Sequence, residues 1–512
     1  METNKLHEKP PYGMIAILFI GAFVSILNET LLNVALPSIM EEFEVKATAV
    51  QWLSTGYMLI NGILIPASAF FIQRFTNKSL FITAMALFTV GTLTASLAPT
   101  FGVLLAARMI QASGSAVMMP LLMNVMLTAF PVEKRGAAMG TFGLVMIVAP
   151  AIGPTLSGWV IEHYSWRTLF NIVLPFAIFT LLYSIFKLKN ITPQRKIKLD
   201  VMSIILSSLG FGGLLYGFST AGENGWNDPL VYGTIVIGVV SVVGLIIRQL
   251  NMDVPMLEFR IFKYPMFALS SAISIVLAVA MFSGMILMPI YVQTIRGISP
   301  MDSGLLMLPG AILMGIMSPI TGRLFDKYGA RILALIGLTI TIATTYSFSK
   351  LSMDTSYGTI MLIYTIRMFG MSMVMMPIMT NGLNQLPMKA NPHGTAMNNT
   401  LQQVSGAIGS ALLITVMNNR TETKATELTA SVDPSTVATQ QAAAEVQADI
   451  LNQSMLNGIN FSFLVSTFIA ILALVLAFFI KRFHTPTTNT EKKEPNEEKD
   501  GILNQPTVAT ES

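Results

Sequence analysis

One carboxylic acid lies deep within an apolar stretch of the sequence. Of the 27 acidic residues, only Glu29 falls well inside a predicted membrane-spanning segment, whereas Asp200 and Asp302 fall at segment starts and the others in loops or tails. Ionising a carboxyl away from water is costly, so a buried acid is either neutral or paired with a positive charge. Glu29 could therefore carry a proton by alternating between dry and wet surroundings, or it could form a permanent structural pair with an arginine.

Arg108 is the basic residue that we expect nearest to this acid. Counted at about 1.5 Å per residue from the ends of the first and fourth predicted helices, Glu29 and Arg108 reach similar depths in a hydrocarbon core about 30 Å thick. They could interact directly or through Gln111, one turn further along the fourth helix. The alternative is that Arg108 packs helices together, with its guanidinium bonded to backbone carbonyls.

Uncharged polar and aromatic side chains predict a wet cavity close to this pair. The thirteenth predicted helix carries amides and hydroxyls three or four residues apart, which share one face. Hydrogen bonding between helices is an equally good explanation of that face. Aromatic faces in the second helix could hold organic cations. The candidates for the cavity wall are Asn33, Trp52, Tyr57, Asn61, Gln111, Asn398 and Gln402.

The composition indicates a membrane protein. Charged residues make up 11% of the chain and hydrophobic residues 53%, whereas soluble proteins carry about 25% charged residues. The chain has no cysteine, which excludes disulfides, thiol catalysis and cysteine metal sites. The four histidines lie outside the apolar runs or at their edges, so we expect no metal site and no cofactor.

Several functional classes are disfavoured by the same inventory. The net charge of +4 is small for 512 residues and does not favour a nucleic-acid partner. A membrane enzyme would need a catalytic constellation, and the predicted spans hold no histidine, no cysteine and one acid. The G-x-x-x-x-G-K-[ST] loop of ATP-hydrolysing proteins is absent. A receptor would be expected to bring a signalling domain, and the 32-residue tail is too short for one.

Fourteen apolar runs have the length of about 20 residues that a membrane-spanning helix needs. The first run lacks a small-x-small cleavage site, so we expect a retained span rather than a signal peptide. The predicted spans are 14–36, 49–72, 79–98, 102–126, 136–159, 167–187, 200–219, 230–248, 266–292, 303–322, 331–349, 358–380, 394–417 and 459–480.

Basic residues predict the orientation. Most of the 31 lysines and arginines fall on the side that holds the N-terminus, and such loops stay in the cytoplasm. We therefore expect a multi-pass protein of the inner (cytoplasmic) membrane with both termini in the cytoplasm. The predicted organisation is a cytoplasmic N-terminus (1–13), a six-helix bundle (14–190), two additional helices (191–260), a second six-helix bundle (261–480) with an extended outer loop (418–458), and a disordered cytoplasmic tail (481–512).

A weak internal repeat supports two halves. The segment R-M-I-Q-A-S-G-S-A-V-M-M-P (108–120) is echoed by R-M-F-G-M-S-M-V-M-M-P (367–377), and G-A-A-M…A-I-G (136–153) by G-T-A-M…A-I-G (394–409). These echoes pair spans 4 and 5 with spans 12 and 13. Two six-helix halves separated by two extra helices would give that offset, and internal repeats of this kind are typical of secondary transporters.

Four motifs resemble those of the major facilitator superfamily, in particular its fourteen-spanner drug–proton antiporter branch (the QacA and EmrB type). L-N-E-T-L-L-N-V-A-L-P (27–37) resembles the first-helix signature, with the acid one place later than usual. R-x-x-Q-x-x-G (108–114) resembles the fourth-helix motif. A-P-A-I-G-P-T-L-S-G (149–158) resembles the fifth-helix antiporter motif. G-R-L-F-D-K-Y-G-A-R (322–331) resembles the loop motif of the second half, whose first-half counterpart, Q-R-F-T-N-K (73–78), is degraded.

The resemblance implies an all-α major facilitator fold and transport by alternating access. Glu29 and Arg108 would couple proton movement to efflux of amphipathic or cationic drugs, and the alternative is a dedicated exporter of one metabolite, lipid or antibiotic. The expected partners are small-molecule drugs, protons and membrane lipids, and we expect a monomer. The fifth-helix motif would gate through Pro150, Gly153, Pro154 and Gly158, and the loop motif through Gly322, Arg323 and Asp326. In the loop, Asp326 would form a charge network with Arg323 and its basic neighbours.

Overall fold

In the computed structural model, the described residues form fourteen helices that are long and apolar enough to cross a membrane, as the sequence predicts. The structure describes residues 12–45, 47–50, 52–191, 194, 200–431 and 440–481, and within these residues it contains no strand. The disordered tail predicted for 481–512 lies, apart from its first residue, outside the described residues, as do residues 1–11. In lipid a helix satisfies its backbone polar groups internally, which is why apolar runs of this length become helices.

The long helices are numbered here by crossing. Their bounds are α1 Tyr12–Glu42, α2 Trp52–Arg74, α3 Asn77–Ser96, α4 Phe101–Ala129, α5 Arg135–His163, α6 Arg167–Lys187, α7 Val201–Asn224, α8 Pro229–Asn251, α9 Pro265–Ile290 with a π-helical extension Tyr291–Ile295, α10 Pro300–Tyr328, α11 Ala330–Phe348, α12 in two pieces (Tyr357–Ser372 and Met375–Asn384), α13 Asn391–Ala430 and α14 Gln440–Ala477. Short helical turns occupy Ala47–Val50, Val132–Lys134, Phe259–Lys263 and Met388–Ala390.

The helices form two six-helix bundles with two extra helices between them in the chain. One hydrophobic core is built mainly from α1–α6 and a second mainly from α9–α14. The two bundles meet most extensively where α5 packs on α10. A Cβ added at Gly136 or at Gly322 would overlap the backbone of the opposite helix. Glycine at these two positions therefore sets how closely the halves approach.

The extra helices α7 and α8 form an antiparallel hairpin that contacts both halves. Helix α7 packs against α2 of the first half and against α13 of the second. Trp52 of α2 stacks on Tyr216 of α7, with ring centroids 5.8 Å apart. Trp226, at the tip of the hairpin, donates a hydrogen bond of 2.6 Å to Thr415 of α13. The hairpin thus lies over the seam between α2 and α13.

The segment 418–458 differs from the extended loop that the sequence predicts. Helix α13 continues to Ala430 and helix α14 begins at Gln440, so the described residues of this segment are almost entirely helical. Arg420 donates a 3.0 Å hydrogen bond to Asn457, which joins the two helical extensions. The helices extend beyond the predicted ends of the spans because polar helix formers continue a helix past the last apolar residues.

Candidate functional site

Arg108 is the centre of a polar network inside the first half. It lies on α4 with 1% of its surface exposed. Its guanidinium carbon lies 4.2 Å from the centroid of the Tyr57 ring, and Nη1 donates a 2.9 Å hydrogen bond to Gln111 Oε1. Gln111 Nε2 in turn donates to Thr92 Oγ1 at 2.7 Å. Neutral groups from three helices therefore hold the charge of Arg108.

Glu29 lies on α1 beside this network and is partly buried. Its carboxyl is within electrostatic range of Arg108 and Tyr57. The ion pairs found among the described residues do not include Glu29 and Arg108. The predicted proximity is thus present without a direct salt bridge. A carboxyl that is near a guanidinium but not locked to it can gain or lose a proton without breaking a formed ion pair.

Several buried polar atoms around the network have no hydrogen-bond partner. They include Arg108 Nε, Asn28 Nδ2 and Asn61 Oδ1. The Tyr57 hydroxyl lies beside the Ser25–Ser115 hydroxyl pair but outside hydrogen-bond geometry. Buried polar atoms without a partner are rare in protein interiors and more common where a site binds or moves polar groups.

Helix α5 packs tightly against α1 next to Glu29. A Cβ at Gly153 would overlap the Thr30 side chain, and Ser157 Oγ donates a 2.6 Å hydrogen bond to the Leu31 carbonyl. The fifth-helix motif thus contacts the helix that carries the acid. Gly158, in contrast, faces open space, so the close helix approach expected there is absent. The side chain of Pro154 lies outside the described residues.

The predicted cavity residues fall into separate places. Tyr57 and Gln111 belong to the arginine network, and Asn61 is buried on α2. Trp52 instead contacts α7, and the Asn33 side chain lies outside the described residues. Two more, Asn398 and Gln402, line a small cavity in the second half together with Ser274, Leu277, Ala278, Met281, Met375 and Met379.

Asp326 contacts the opposite half of the protein. Its two carboxylate oxygens accept hydrogen bonds from the backbone N–H groups of Gly136 (2.8 Å) and Ala137 (3.0 Å), at the start of α5. A carboxylate at a helix N-terminus satisfies free backbone donors and complements the helix dipole. The charge network of Asp326 with Arg323, whose side chain is exposed, stays a prediction.

Two further contacts join the halves at the same end of the bundle. Arg135 Nη1 donates a 3.2 Å hydrogen bond to Asn384 Oδ1. Gln73 Nε2 lies 3.0 Å from His393 Nε2 on α13. Gln73 stands where the degraded first-half loop motif lost its acid, so an amide–imidazole contact replaces a carboxylate there. Sequence reasoning missed Thr92, Asn384 and His393, whose roles depend on helices far apart in the chain.

Comparisons with known proteins agree with this architecture. Residues 18–410 match the model of the Major Facilitator Superfamily. The chain is 47% identical over 518 residues to the MFS-type transporter YhcA of Bacillus subtilis (96% of this chain, 97% of the relative). It is 43% identical over 471 residues to the lincomycin resistance protein LmrB of the same organism (92% of this chain, 95% of the relative).

A solved structure shows the same fold. The proton:xylose symporter XylE superposes with a TM-score of 0.61 at 12% identity, covering 92% of this chain and 96% of that one. Sequence identity this low shows the fold alone. Together with the fourteen candidate spans and the matched family model, these findings show that the chain belongs to the major facilitator superfamily, a family of multi-pass membrane transporters.

Proposed function

We propose that the chain is a proton-coupled exporter of amphipathic drugs, with Glu29 as the proton carrier. The observation that carries the proposal is the placement of Glu29 within electrostatic range of Arg108 and Tyr57 but outside a salt bridge. Relatives named as the lincomycin resistance protein LmrB and the probable multidrug resistance protein EmrY support drugs as the cargo.

Drug binding and protonation of the Glu29 carboxyl would oppose each other, and this opposition would couple the two. A drug that enters the cavity from the cytoplasm or the inner leaflet favours loss of the Glu29 proton, and Arg108 stabilises the carboxylate that remains. After the halves rock, protonation from outside returns the acid to its neutral form and favours drug release. Neutral partners such as Gln111 can hold Arg108 while Glu29 is protonated.

Rocking requires the contacts between the halves to break at one end. Three contacts hold the halves together at the end where α1 begins: Asp326 of α10 with the N-terminus of α5, Arg135 with Asn384, and Gln73 with His393. The distribution of basic residues favours the cytoplasmic side for this end. The contacts would then close the cytoplasmic entrance once drug is loaded, and they would break again to admit the next drug molecule.

A single proton carrier limits the drug concentration gradient that the protein can maintain. A proton moving down about 100 mV and about one pH unit releases about 3.7 kcal/mol. That energy supports a gradient of several hundredfold for a neutral drug. Exchange of one proton for a monovalent cation moves no net charge, so only the pH difference drives it, to about tenfold.

The test is transport in inverted membrane vesicles that contain Glu29→Gln. We expect drug-dependent proton movement to be lost, because glutamine has nearly the same shape but cannot release a proton. Glu41→Gln is the matched control, since Glu41 is an exposed acid on the same helix. Coupled efflux by Glu29→Gln at the wild-type rate would overturn the assignment. A panel with a cation, a neutral drug and a fluoroquinolone separates a polyspecific pump from a dedicated exporter.

A further inference from the structure

A methionine-rich cavity of about 310 Å³ lies between the two halves. Helix α5 of the first half and helices α9, α10 and α12 of the second form its wall. Six of its thirteen lining residues are methionines: Met146, Met281, Met285, Met307, Met314 and Met368. Further along the same α5–α10 seam, the glycines at 136 and 322 bring the two helices into close contact.

The cavity wall is almost entirely apolar. Among the described residues that line it, none is acidic or basic, and the Tyr364 hydroxyl is the one side-chain polar group. Methionine side chains are flexible and polarisable, so they adapt to ligands of different shapes and make favourable contacts with aromatic rings. A volume of about 300 Å³ or more is typical of small-molecule sites. These properties suit an apolar molecule of drug size.

A fixed positive charge behind the wall disfavours cations. Arg367 on α12 is fully buried, three residues from Tyr364 and adjacent to Met368. Its guanidinium donates to neutral acceptors, the Ala280 carbonyl at 2.7 Å and Ser283 Oγ at 3.2 Å. The ion pairs among the described residues do not include Arg367. A cationic ligand here would leave water, meet no counter-charge and face this guanidinium.

We propose that this cavity is a binding site for uncharged apolar molecules of drug size and that it discriminates against cations. The proposal rests on the transport function proposed above only in assigning the site to cargo. It does not depend on Glu29, whose network is built from other helices. Met281 also lines the small cavity that holds Asn398 and Gln402, so the polar end of an amphipathic ligand has amides within reach of that site.

Binding to the purified protein in lipid nanodiscs tests the proposal without a proton gradient. The probes are neutral N-phenyl-1-naphthylamine and the cation tetraphenylphosphonium, with empty nanodiscs correcting for partition into lipid. Ala311→Trp fills the cavity, and we expect it to weaken binding of the neutral probe at least about tenfold, the equivalent of about 1.4 kcal/mol. Ile312→Trp is the matched control, because the neighbouring Ile312 is 48% exposed on the outer surface.

Photolabelling of the unmodified protein keeps the test decisive if Ala311→Trp fails to fold. A neutral aromatic diazirine is expected to label residues 281–314 and 364–368, with protection by excess N-phenyl-1-naphthylamine and little protection by tetraphenylphosphonium. Label confined to lipid-facing positions, or equal protection by both competitors, would overturn the proposal. Glu29→Gln should retain the labelling pattern. Retained coupling in that variant with normal labelling counts against the proton carrier alone. Lost coupling with label confined to lipid-facing positions counts against the cavity alone.

Discussion

Arg108 in the first half and Arg367 in the second occupy matching positions in the internal repeat but have different surroundings. Both are almost fully buried, with 1% and 0% of their surfaces exposed. Arg108 lies under the Tyr57 ring and within electrostatic range of Glu29. Arg367 is held by Thr345, Ser283 and a backbone carbonyl, and its electrostatic partner among the described residues is Tyr364.

The difference suggests a division of labour between the halves. A charge beside a carboxyl can respond to protonation, whereas a charge held by hydroxyls and a carbonyl stays constant through the transport cycle. The first half would therefore couple protons, and the second half would supply a structural cation and an apolar binding wall. Replacing equivalent residues in the two halves can break or sharpen this comparison.

The largest expected difference is between Arg108→Gln and Arg367→Gln. Removing the charge near Glu29 takes away the only counter-charge described for its carboxylate, which at an effective dielectric near 20 amounts to about 1–3 kcal/mol. We expect proton-driven drug transport to fall at least about tenfold in Arg108→Gln. Arg367→Gln should lower stability, since buried acceptors lose donors, while transport of a neutral drug per folded molecule changes less than about threefold.

Drug-induced proton release in vesicles, normalised to the folded fraction from size-exclusion chromatography, measures both variants. Equal losses of coupling in the two variants would remove the functional distinction between the halves.

Among the contacts that join the halves, loss of a charged contact should have a larger effect than loss of a neutral one. Asp326→Asn removes a charge that caps α5, a contribution of about 1–2 kcal/mol, whereas Gln73→Ala removes one neutral contact of about 1 kcal/mol. Ser318 is buried in the α5–α10 seam and donates to the Gly140 carbonyl. The chain has no native cysteine, so Ser318→Cys reports opening by its rate of maleimide labelling.

We expect Asp326→Asn to speed labelling about three- to tenfold and Gln73→Ala to speed it less. Arg323→Gln serves as the control, because Arg323 is exposed on the same loop motif. Faster labelling in Gln73→Ala than in Asp326→Asn would reverse the predicted order of the two contacts.

The smallest effect is expected in the hairpin that lies over both halves. Arg248 Nε and Nη2 donate to the two Asp200 oxygens at 2.8 and 2.9 Å. These hydrogen bonds lower the pKa of Asp200 from 3.8 to about 2. Because the folded pKa lies below the unfolded value, the pair stabilises the protein above pH about 4, and this contribution is lost as the pH falls toward 2.

Thermal unfolding of wild type and Asp200→Asn measures that contribution. The wild type should have a slightly higher Tm near neutral pH, and this advantage should shrink as the pH approaches 3. Asp253→Asn, an exposed acid in the loop after α8, should show no such trend. An advantage that is unchanged at low pH would argue against the Asp200 pair as its source.

The sequence alone determined the membrane fold and singled out the acid that we propose as the proton carrier. Fourteen apolar runs give fourteen helices because lipid forces each run to satisfy its own backbone. The same argument singled out Glu29, since a lone acid in an apolar run is costly unless it has a use. Depth along straight helices was also sufficient to place Arg108 near it, because rise per residue is nearly constant.

Only the tertiary structure decided which side chains share a site. The sequence could not show that Trp52 contacts α7, or that Asp326 caps α5. Nor could it collect Met146 with methionines from three other helices into one cavity. Helix periodicity fixes which residues share a face, but which faces meet depends on how two bundles and a hairpin pack, and that is set by contacts between segments hundreds of residues apart.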